Sequence, residues 1–493
     1  MKKQSVVSNI LEAFIKASGK RALRTNPVTP AIKGRFDYLK KARSQKFTAG
    51  FGKSVMLPWD IEKKKYYIAG YGENNPAKGV IDPQYAHALW LDDNSGRGGV
   101  LFVSLDAVGL LNKDVSEAKR RLSDFTKETG CRSINIFCTH NHAGIDTMGI
   151  WGRLPLSGKD PEFMEILFSA IVKAAKTAFK TRKEGDLFLG TAEVPDMQED
   201  IRTPVVYSKT LTRFRFVPDN GENEIWLLNF ASHSESLQGC NHLVSADFPC
   251  YMRRRIKEAA NADVVYGVGA IGGMISMKIE DEDVLKKEHR LLESTEKIGE
   301  KLADYALSIS NDERLSPVIN FIRSEFFVEA DNPVLALACN LGIISADKYG
   351  DRDSSKGFSL KTELTYFEIG SKKMLFLPCE IFPELVFGGF LTKDESATGF
   401  GEEVNPPLIS KIVGDDSILV FGLANDELGY VLPPNDFLLN EEKPYLEKAI
   451  DRHGRRHYEE TNSLGPKTAD AVAEAVLEAV RIVNETKEKN KNL

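Results

Sequence analysis

The sequence predicts an α/β fold with mixed β-sheets flanked by helices, built as a single large unit. Apolar runs typical of strands alternate with longer runs of helical period, which is the order of elements expected for this class. Several strand-like runs follow one another closely, and this favours mixed sheets over a purely parallel sheet. No internal repeat or low-complexity linker divides the 493 residues, so we expect one intertwined unit rather than separate domains.

The individual elements follow from these runs. Strands are expected at residues 100–108, 133–138, 212–217, 224–231, 263–269, 362–370, 373–378 and 417–424. Helices are expected at 113–129, 161–180, 248–260, 281–310 and 468–483. The main unit is expected to span residues 47–485, after a helical and basic lead-in of residues 1–46 and before a solvated polar tail of residues 486–493.

The first residues carry apolar side chains on one helical stripe, from Val6 to Ile15. Such a helix either packs on the body of the protein or lies on a membrane surface, so a peripheral membrane contact stays open. Asn9, Glu12 and Lys16 interrupt the apolar run, and therefore no secretion signal is predicted. No run of about 18 apolar residues predicts a transmembrane segment.

Composition narrows the function classes. Apolar residues make up 42% and charged residues 28% of the chain, as in an ordinary globular protein, and the net charge is −6. The basic residues do not gather into one stripe, so nucleic acid is not an expected partner. Six cysteines without C-x-x-C spacing are expected to be reduced thiols, which favours a cytoplasmic location. The sequence leaves the oligomeric state open.

Two histidines directly follow the strand predicted at 133–138. His140 and His142 alternate, so they project to the same side and can face one cation. The alternative for an isolated H-x-H pattern is that these histidines only form hydrogen bonds in a loop.

Three further side chains of the same kind follow other predicted strands: His233 after residues 224–231, Glu380 after KMLFLPC and Tyr430 after SILVF. Loops at strand ends are where folds commonly place their chemistry. Two imidazoles, one carboxylate and one phenolate suit Zn²⁺, with manganese or iron as alternatives for a mixed nitrogen and oxygen site. The sequence therefore predicts a zinc site.

The chain also resembles a known family through motifs spread over roughly residues 48–480. These are TAGFGK, VLFVSLDAVGL, THNHAG, NFASH, LPCEIFPEL, GLANDELGYVLP and HYEETNSLGP. They resemble the neutral/alkaline, non-lysosomal ceramidases, which are zinc amidases that hydrolyse the N-acyl bond of ceramide. The resemblance is to the N-terminal catalytic domain only, because the chain ends before the place of that family's immunoglobulin-like C-terminal domain.

The resemblance implies roles for particular residues. His142 matches a histidine that lies beside the metal and assists catalysis, and Tyr458 lies in the region of a substrate-contacting tyrosine. Arg202 resembles an arginine that lines the site, although an ion pair within a loop explains it nearly as well. The implied zinc ligands are His140, His233, Glu380 and Tyr430.

One loop departs from the family pattern. The family has its catalytic serine in a G-D-x-S-P-like sequence, whereas this chain reads GGMIS over residues 272–276. In register, Ile275 occupies the serine position, and Ser276 serves only if the loop shifts by one residue. We therefore predict hydrolysis that needs no serine nucleophile, with Ser276 as the candidate if the register differs.

Two other features have simpler interpretations. Asp247 before Phe248 and Pro249 is typical of a helix N-cap. The glycine-rich segment 267–273 lacks the partners of a nucleotide-binding loop, and we expect it to approach the metal pocket closely with its backbone. The remaining histidines are left unassigned.

Together these observations predict a zinc-dependent hydrolase that cleaves an amide bond of an N-acyl, lipid-like substrate, with a ceramide-type compound as the candidate that the resemblance implies. His142 is the expected general acid/base, since the ordinary pKa of histidine lies near neutrality. Two alternatives stay open: a catalytically silent metal-binding ligand sensor, and a zinc-dependent esterase or lactonase.

Overall fold

The computed structural model describes residues 6–29, 32–279, 288–440 and 449–491. In chain order, the α-helices of these segments are α1 Val6–Thr25, α2 Asn112–Arg121, α3 Ser123–Thr129, α4 Pro161–Lys180, α5 Phe248–Ala260, α6 Glu288–Ser308, α7 Pro333–Leu341, α8 Pro383–Phe387, α9 Ile409–Val413 and α10 Thr468–Lys489.

The strands, in chain order, are β1 Phe47–Val55, β2 Gly79–Val80, β3 Tyr85–Asp92, β4 Val100–Leu105, β5 Ser133–Cys138, β6 Lys183–Glu193, β7 Gln198–Glu199, β8 Thr210–Pro218, β9 Glu224–Phe230, β10 Leu243–Val244, β11 Ala262–Val268, β12 Ser276–Met277, β13 Glu313–Arg314, β14 Ile319–Glu329, β15 Lys348–Gly350, β16 Phe358–Ile369, β17 Lys372–Phe376, β18 Glu380–Ile381, β19 Leu419–Phe421, β20 Tyr430–Val431, β21 Ala449–Ile450 and β22 Arg456–His457.

Two mixed sheets organise the molecule. The larger sheet has the order β11-β9-β8-β6-β1-β3-β4-β5, with β13 beside β6. Its β4–β5 and β9–β11 pairs are parallel, and its other pairs are antiparallel. The smaller sheet has the order β14-β16-β17-β19, with β15 beside β16, and its β17–β19 pair is parallel. The predicted α/β class with mixed sheets flanked by helices is confirmed.

The two sheets pack face to face through aromatic side chains. Phe102 and Phe137 of the larger sheet contact Phe376 of the smaller sheet, and the rings of Phe376 and Phe421 stack with centroids 4.6 Å apart. The outer face of the larger sheet packs on α4 and α5, and that of the smaller sheet packs on α10. The result is a helix–sheet–sheet–helix arrangement whose apolar layers hold the strand ends in place.

Two predicted helices differ from the observed ones. The helix predicted at 113–129 is broken at Leu122 into α2 and α3. The tail predicted to be solvated from residue 486 is helical as far as Lys489, because buried Val480 and Val483 continue the apolar face of α10 and Lys487 pairs with Glu368. The first part of the helix predicted at 281–310 lies outside the described residues, and α6 begins at Glu288.

The N-terminal helix packs on the body of the protein. Ile15 is buried and Phe14 remains exposed, and α1 contacts β15 and α7 of the same chain. In this part of the helix, the apolar stripe packs on the body of the protein, which is one of the two predicted arrangements. Within the described residues, none of the helices combines the length and the apolar character needed to cross a membrane.

Candidate active site

The loops that follow β5 and β9 lie side by side. Asn141 and Ser234 form a parallel bridge. The backbone N–H of His142 donates to the carbonyl of Ser234 at 2.9 Å, and that of Ser234 donates to the carbonyl of His140 at 3.3 Å. Because side chains alternate along extended backbone, this pairing sets the side chain of His140 near that of His233 and the side chain of His142 near that of Glu235.

The smaller sheet supplies a second pair of loops at the same place. After β17 and β19, the short strands β18 and β20 pair in parallel with Glu380 opposite Tyr430. The backbone N–H of Glu380 donates to the carbonyl of Gly429 at 3.1 Å. Each sheet thus contributes two neighbouring strand-end loops, and the four predicted metal ligands come one from each loop.

Three of the predicted ligands converge on one point. The Nε2 atoms of His140 and His233 lie 3.1 Å and 3.0 Å from the same carboxylate oxygen of Glu380. Ligand atoms held at about 2.0–2.2 Å by one tetrahedral zinc ion lie roughly 3.3–3.6 Å apart. The observed spacing is close to that value, and Nε2 is the atom that faces the shared point on both rings.

Backbone carbonyls orient both rings. Nδ1 of His140 lies 2.7 Å from the carbonyl oxygen of Val108, and Nδ1 of His233 lies 2.8 Å from that of Ile275. With Nδ1 as the donor, each Nε2 keeps its lone pair for a cation, as in the ligand histidines of metal proteins. His140 has a φ of +53°, a strained backbone conformation for a residue other than glycine.

Burial and charge act in opposite directions on this group. Burial by itself raises the pKa of Glu380, but the neighbouring imidazoles of His140 and His233 hold it well below its usual range. Burial lowers the pKa of His233, but its hydrogen bond to Glu380, the nearby charges of Glu235 and Glu380 and the carbonyl of Ile275 together outweigh that effect and raise it. The carboxylate is therefore ionised, as a metal ligand must be.

Tyr430, in β20, is the fourth predicted ligand. It is buried, it lies across the bridge from Glu380, and its hydroxyl contacts the sulfur of Met274 at 2.9 Å. Burial raises the pKa of Tyr430 well above its usual value, and the nearby carboxylate of Glu380 adds to this effect. Its assignment as a zinc ligand stays a prediction.

His142 is the unsatisfied member of the cluster. It is 8% exposed, and neither of its ring nitrogens makes a hydrogen bond, although Nδ1 lies 3.4 Å from Glu235. The backbone of Gly70 packs so closely against the ring that a Cβ there would meet it at 2.5 Å. Burial, with a smaller contribution from His140, lowers the pKa of His142 to about 3, so the imidazole is neutral at neutral pH. Buried polar nitrogens without partners are uncommon.

Glu235 is a site residue that the sequence interpretation missed. Its carboxylate accepts hydrogen bonds from the hydroxyls of Tyr71, at 2.9 Å, and of Ser276. Its signal was present in the sequence, since His233 and Glu235 alternate just after β9 as His140 and His142 alternate just after β5. Tyr71 also meets the ring of His142 edge-on, with centroids 5.5 Å apart, and nothing in its sequence context marked it.

The GGMIS loop takes a form that fits its departure from the family pattern. Ile275 is fully buried, and its carbonyl holds His233. Met274, at a φ of +62°, turns toward Tyr430. The hydroxyl of Ser276 is engaged by Glu235. A Cβ on Gly272 would meet the ring of Phe382 at 2.3 Å, so the backbone there packs closely on Phe382, and the expected approach of segment 267–273 to the metal pocket stays a prediction.

Arg202 lies in a separate charged cluster. Its guanidinium is 2.7 Å from Glu459, 2.8 Å from Glu460 and 3.1 Å from Asp436. His457, left unassigned from the sequence, bonds Glu460 at 2.7 Å. The ion-pair interpretation of Arg202 thus describes its contacts, and a direct catalytic role for it stays a prediction. Asp247 caps α5 through the N–H of Phe248, which confirms that interpretation.

Two cavities meet at the metal centre. The apolar cavity, of about 190 Å³, is lined mainly by aliphatic and aromatic side chains and has His140 and Glu380 at its inner end. The charged cavity, of about 930 Å³, is lined by the Arg202 cluster and Glu235. His142, Tyr430 and the half-exposed Tyr458 line both cavities, so the predicted substrate-contacting tyrosine stands at the junction.

The side chains present fit a zinc ion. His140 and His233 offer correctly oriented imidazole nitrogens, Glu380 offers an ionised oxygen close to both, and the donor atoms of the histidines at positions 140, 142 and 233 all lie within 4.8 Å of one another. Nitrogen and oxygen donors in this combination suit zinc. An orphaned buried imidazole beside them indicates that an external group is expected here.

Known proteins resemble this chain in sequence and in fold. No family model matches the chain. The neutral ceramidase of Drosophila pseudoobscura pseudoobscura is 24% identical to it over a match of 287 residues, with coverage of 48% of this chain and 40% of that protein. The crystal structure of neutral ceramidase from Pseudomonas aeruginosa superposes with a TM-score of 0.67 at 16% identity, covering 90% of this chain and 75% of that one. The chain has the fold of a neutral ceramidase.

A structure described as a ceramidase complexed with C2 superposes similarly, with a TM-score of 0.65, 15% identity and coverage of 90% of this chain and 76% of that one. The predicted resemblance to the neutral ceramidases is thereby confirmed. The sequence match spans less than half the length of the curated relative, and the structural matches are distant in sequence.

Proposed function

We propose that this protein is a zinc-dependent hydrolase that cleaves the amide bond of an N-acyl substrate with a lipid-like portion. The observation that carries the proposal is the neutral, unpartnered His142 beside the His140–His233–Glu380 group, at the junction of two cavities. The resemblance to neutral ceramidases supports the reaction class.

In this proposal His140, His233, Glu380 and Tyr430 hold the ion. Zinc bound there supplies Lewis acidity, which polarises a carbonyl and lowers the pKa of coordinated water. Hydrolysis breaks the C–N bond, adds the oxygen of water to the acyl carbon and returns a proton to nitrogen. His142 lies beside this group with both ring nitrogens unpartnered, so it is placed to take the proton of water and deliver it to the leaving amine. His142 is buried, and this burial keeps bulk water away from the proton transfer.

The direct test is turnover. Purified protein, stripped with a chelator and reloaded with zinc, should release free fatty acid and amine from an N-acyl amide such as octanoyl p-nitroanilide, and the stripped protein should not. Mass spectrometry of both products, compared with the octanoyl ester of p-nitrophenol, separates an amidase from an esterase or lactonase. Zinc-loaded protein that cleaves the ester alone would move the assignment to the esterase alternative.

A second candidate function is a metal-binding ligand sensor without turnover. It is favoured by one observation, the buried aliphatic Ile275 in place of the family's serine. A sensor would bind an N-acyl amide, measured by calorimetry, and yield no product after prolonged incubation with zinc. Product formation that depends on His142 excludes it.

A further inference from the structure

Glu235 is a buried carboxylate beside the unpartnered imidazole of His142. It is 4% exposed, and it lines the charged cavity together with His142 and Tyr71. The bridge between Asn141 and Ser234 pairs the loops after β5 and β9, and alternation along the two segments sets the side chains of Glu235 and His142 on the same side. Groups that surround a reacting side chain in this way commonly fix its orientation.

The carboxylate of Glu235 is held from two directions. The hydroxyl of Tyr71 donates to Oε2 at 2.9 Å, and the hydroxyl of Ser276 donates to Oε1. Ser276 is itself held by the pairing of β12 with β7. Oε2 lies 3.4 Å from Nδ1 of His142, just beyond the upper limit of about 3.2 Å for an N–H···O hydrogen bond. A shift of a few tenths of an ångström joins the two atoms.

The three imidazoles of the metal centre share one arrangement. Nδ1 of His140 and Nδ1 of His233 each lie close to a backbone carbonyl, at 2.7 Å and 2.8 Å. Nδ1 of His142 faces the carboxylate of Glu235 instead. Gly70 packs against Cβ, Cγ and Nδ1 of His142, so the ring has no room to turn on that side. An imidazole that donates through Nδ1 keeps the lone pair of Nε2 available.

Resting on the proposed hydrolase function, we propose that Glu235 is the positioning residue of His142: its carboxylate accepts a hydrogen bond from Nδ1–H and so keeps Nε2 unprotonated. Hydrogen bonds of this kind are often long in the absence of substrate and tighten in the complex. In the proposed reaction Nε2 takes the proton of water, and the proton on Nδ1 stays in place. Tyr71 and Ser276 hold the carboxylate, which gives Ser276 a part in the site without nucleophilic attack.

The first test determines the tautomer of His142. Zinc-loaded protein with isotope-labelled histidine gives nuclear magnetic resonance spectra that correlate ring nitrogens with ring protons and distinguish Nδ1–H from Nε2–H. The signals of His142 are those that disappear in His142→Gln. We expect the Nδ1–H tautomer in the wild-type protein at neutral pH and a mixture of tautomers in Glu235→Ala. An Nε2–H tautomer in the wild-type protein would overturn the inference, even if Glu235→Ala does not fold.

The second test is steady-state hydrolysis of octanoyl p-nitroanilide. Glu235→Ala should lower kcat about 10–100-fold, with KM and bound zinc unchanged. Because Glu235 lines an open cavity, sodium formate should enter the space left by its carboxylate and restore part of the lost kcat, whereas sodium chloride should not. The matched control is Glu384→Ala. Glu384 is also 4% exposed but lines neither cavity, so kcat should be unchanged and insensitive to formate.

The inference and the hydrolase function can fail separately. If the activity of Glu235→Ala falls only because zinc is lost, or if KM alone changes, Glu235 is a structural residue and the inference is wrong while the hydrolase function stands. If zinc-loaded wild-type protein cleaves neither the anilide nor the corresponding ester, the hydrolase function is wrong and the inference falls with it, whatever tautomer the spectra show.

Discussion

Two clusters of histidine and carboxylate lie about the same pair of cavities, and both have the spacing of metal sites. In the first cluster, formed by His140, His142 and His233, the imidazole of His142 is buried with both nitrogens unpaired. In the second cluster, Asp436, Asp451 and His457 are bonded to Arg202, Arg455 or Glu460.

The clusters differ in whether their polar groups already have partners within the protein. The second cluster already has its cations, in the form of two guanidinium groups, and its geometry is closed. The first cluster has imidazoles oriented by the carbonyls of Val108 and Ile275 and no protein cation beside them within the described residues. Both clusters share the spacing, and the unpaired ring nitrogens of His142 distinguish the first cluster from the second.

Removal of a ligand should have the largest effect. His140→Ala should abolish stoichiometric zinc binding and lower amide hydrolysis on the order of 10⁴-fold, since a Lewis acid supplies several kcal/mol of transition-state stabilisation. Inductively coupled plasma mass spectrometry of dialysed protein measures the zinc. The matched control is His457→Ala in the second cluster, which should keep about one zinc ion per chain. Zinc retained in the first variant and lost in the second would reverse the comparison.

The next effect concerns the unpaired imidazole. His142→Ala should lower kcat on the order of 10²–10⁴-fold with zinc still bound, because it removes the group that holds the proton. Ser276→Ala should keep most of the activity, since its hydroxyl is occupied by Glu235 and the aligned residue is Ile275. Steady-state kinetics of the two variants side by side provides the measurement. An inactive, zinc-loaded Ser276→Ala protein would make Ser276 the nucleophile.

Replacing Arg202 should lower the stability of the protein more than its binding of zinc. Arg202→Met removes the cation that three buried carboxylates share, and this should destabilise the protein by about 3–5 kcal/mol in denaturant unfolding. Arg481→Met breaks an exposed pair with Glu478 and should leave the stability nearly unchanged. Unchanged stability in the first variant, together with loss of zinc, would show that the cluster serves the metal instead.

The smallest effect is a dependence on pH. Burial raises the pKa of Glu384, near Arg202, to about 8. A carboxyl group with a raised folded-state pKa contributes stability that is complete below its ordinary pKa and is lost as pH rises toward 8. We compare the free energy of unfolding of Glu384→Gln with that of wild type. The variant should gain stability relative to wild type between pH 5 and pH 8, by on the order of 1–3 kcal/mol. Equal differences at the two pH values, measured by thermal unfolding, would contradict the raised pKa.

Much of the fold was predictable because local patterns determine it. The strand at 133–138 and the helix at 161–180 were predicted with their observed bounds, since period-two and period-3.6 apolar patterns and the Asp160 cap mark them directly. The break between α2 and α3 was missed, because the apolar period continues across it. Helix α10 extends beyond its predicted end through a contact between Lys487 and Glu368, which is remote in sequence.

The sequence by itself determined the α/β class, most of the strands and the residue types available at their ends, because these depend on the local order of side chains. Only the tertiary structure decided that the loops after β5 and β9 bridge each other and meet the Glu380–Tyr430 pair from a second sheet. It also decided that Arg202 joins a neutralised cluster while His142 stays unpaired. These facts depend on contacts across more than 90 residues of chain, and burial then sets the energies of the charged groups.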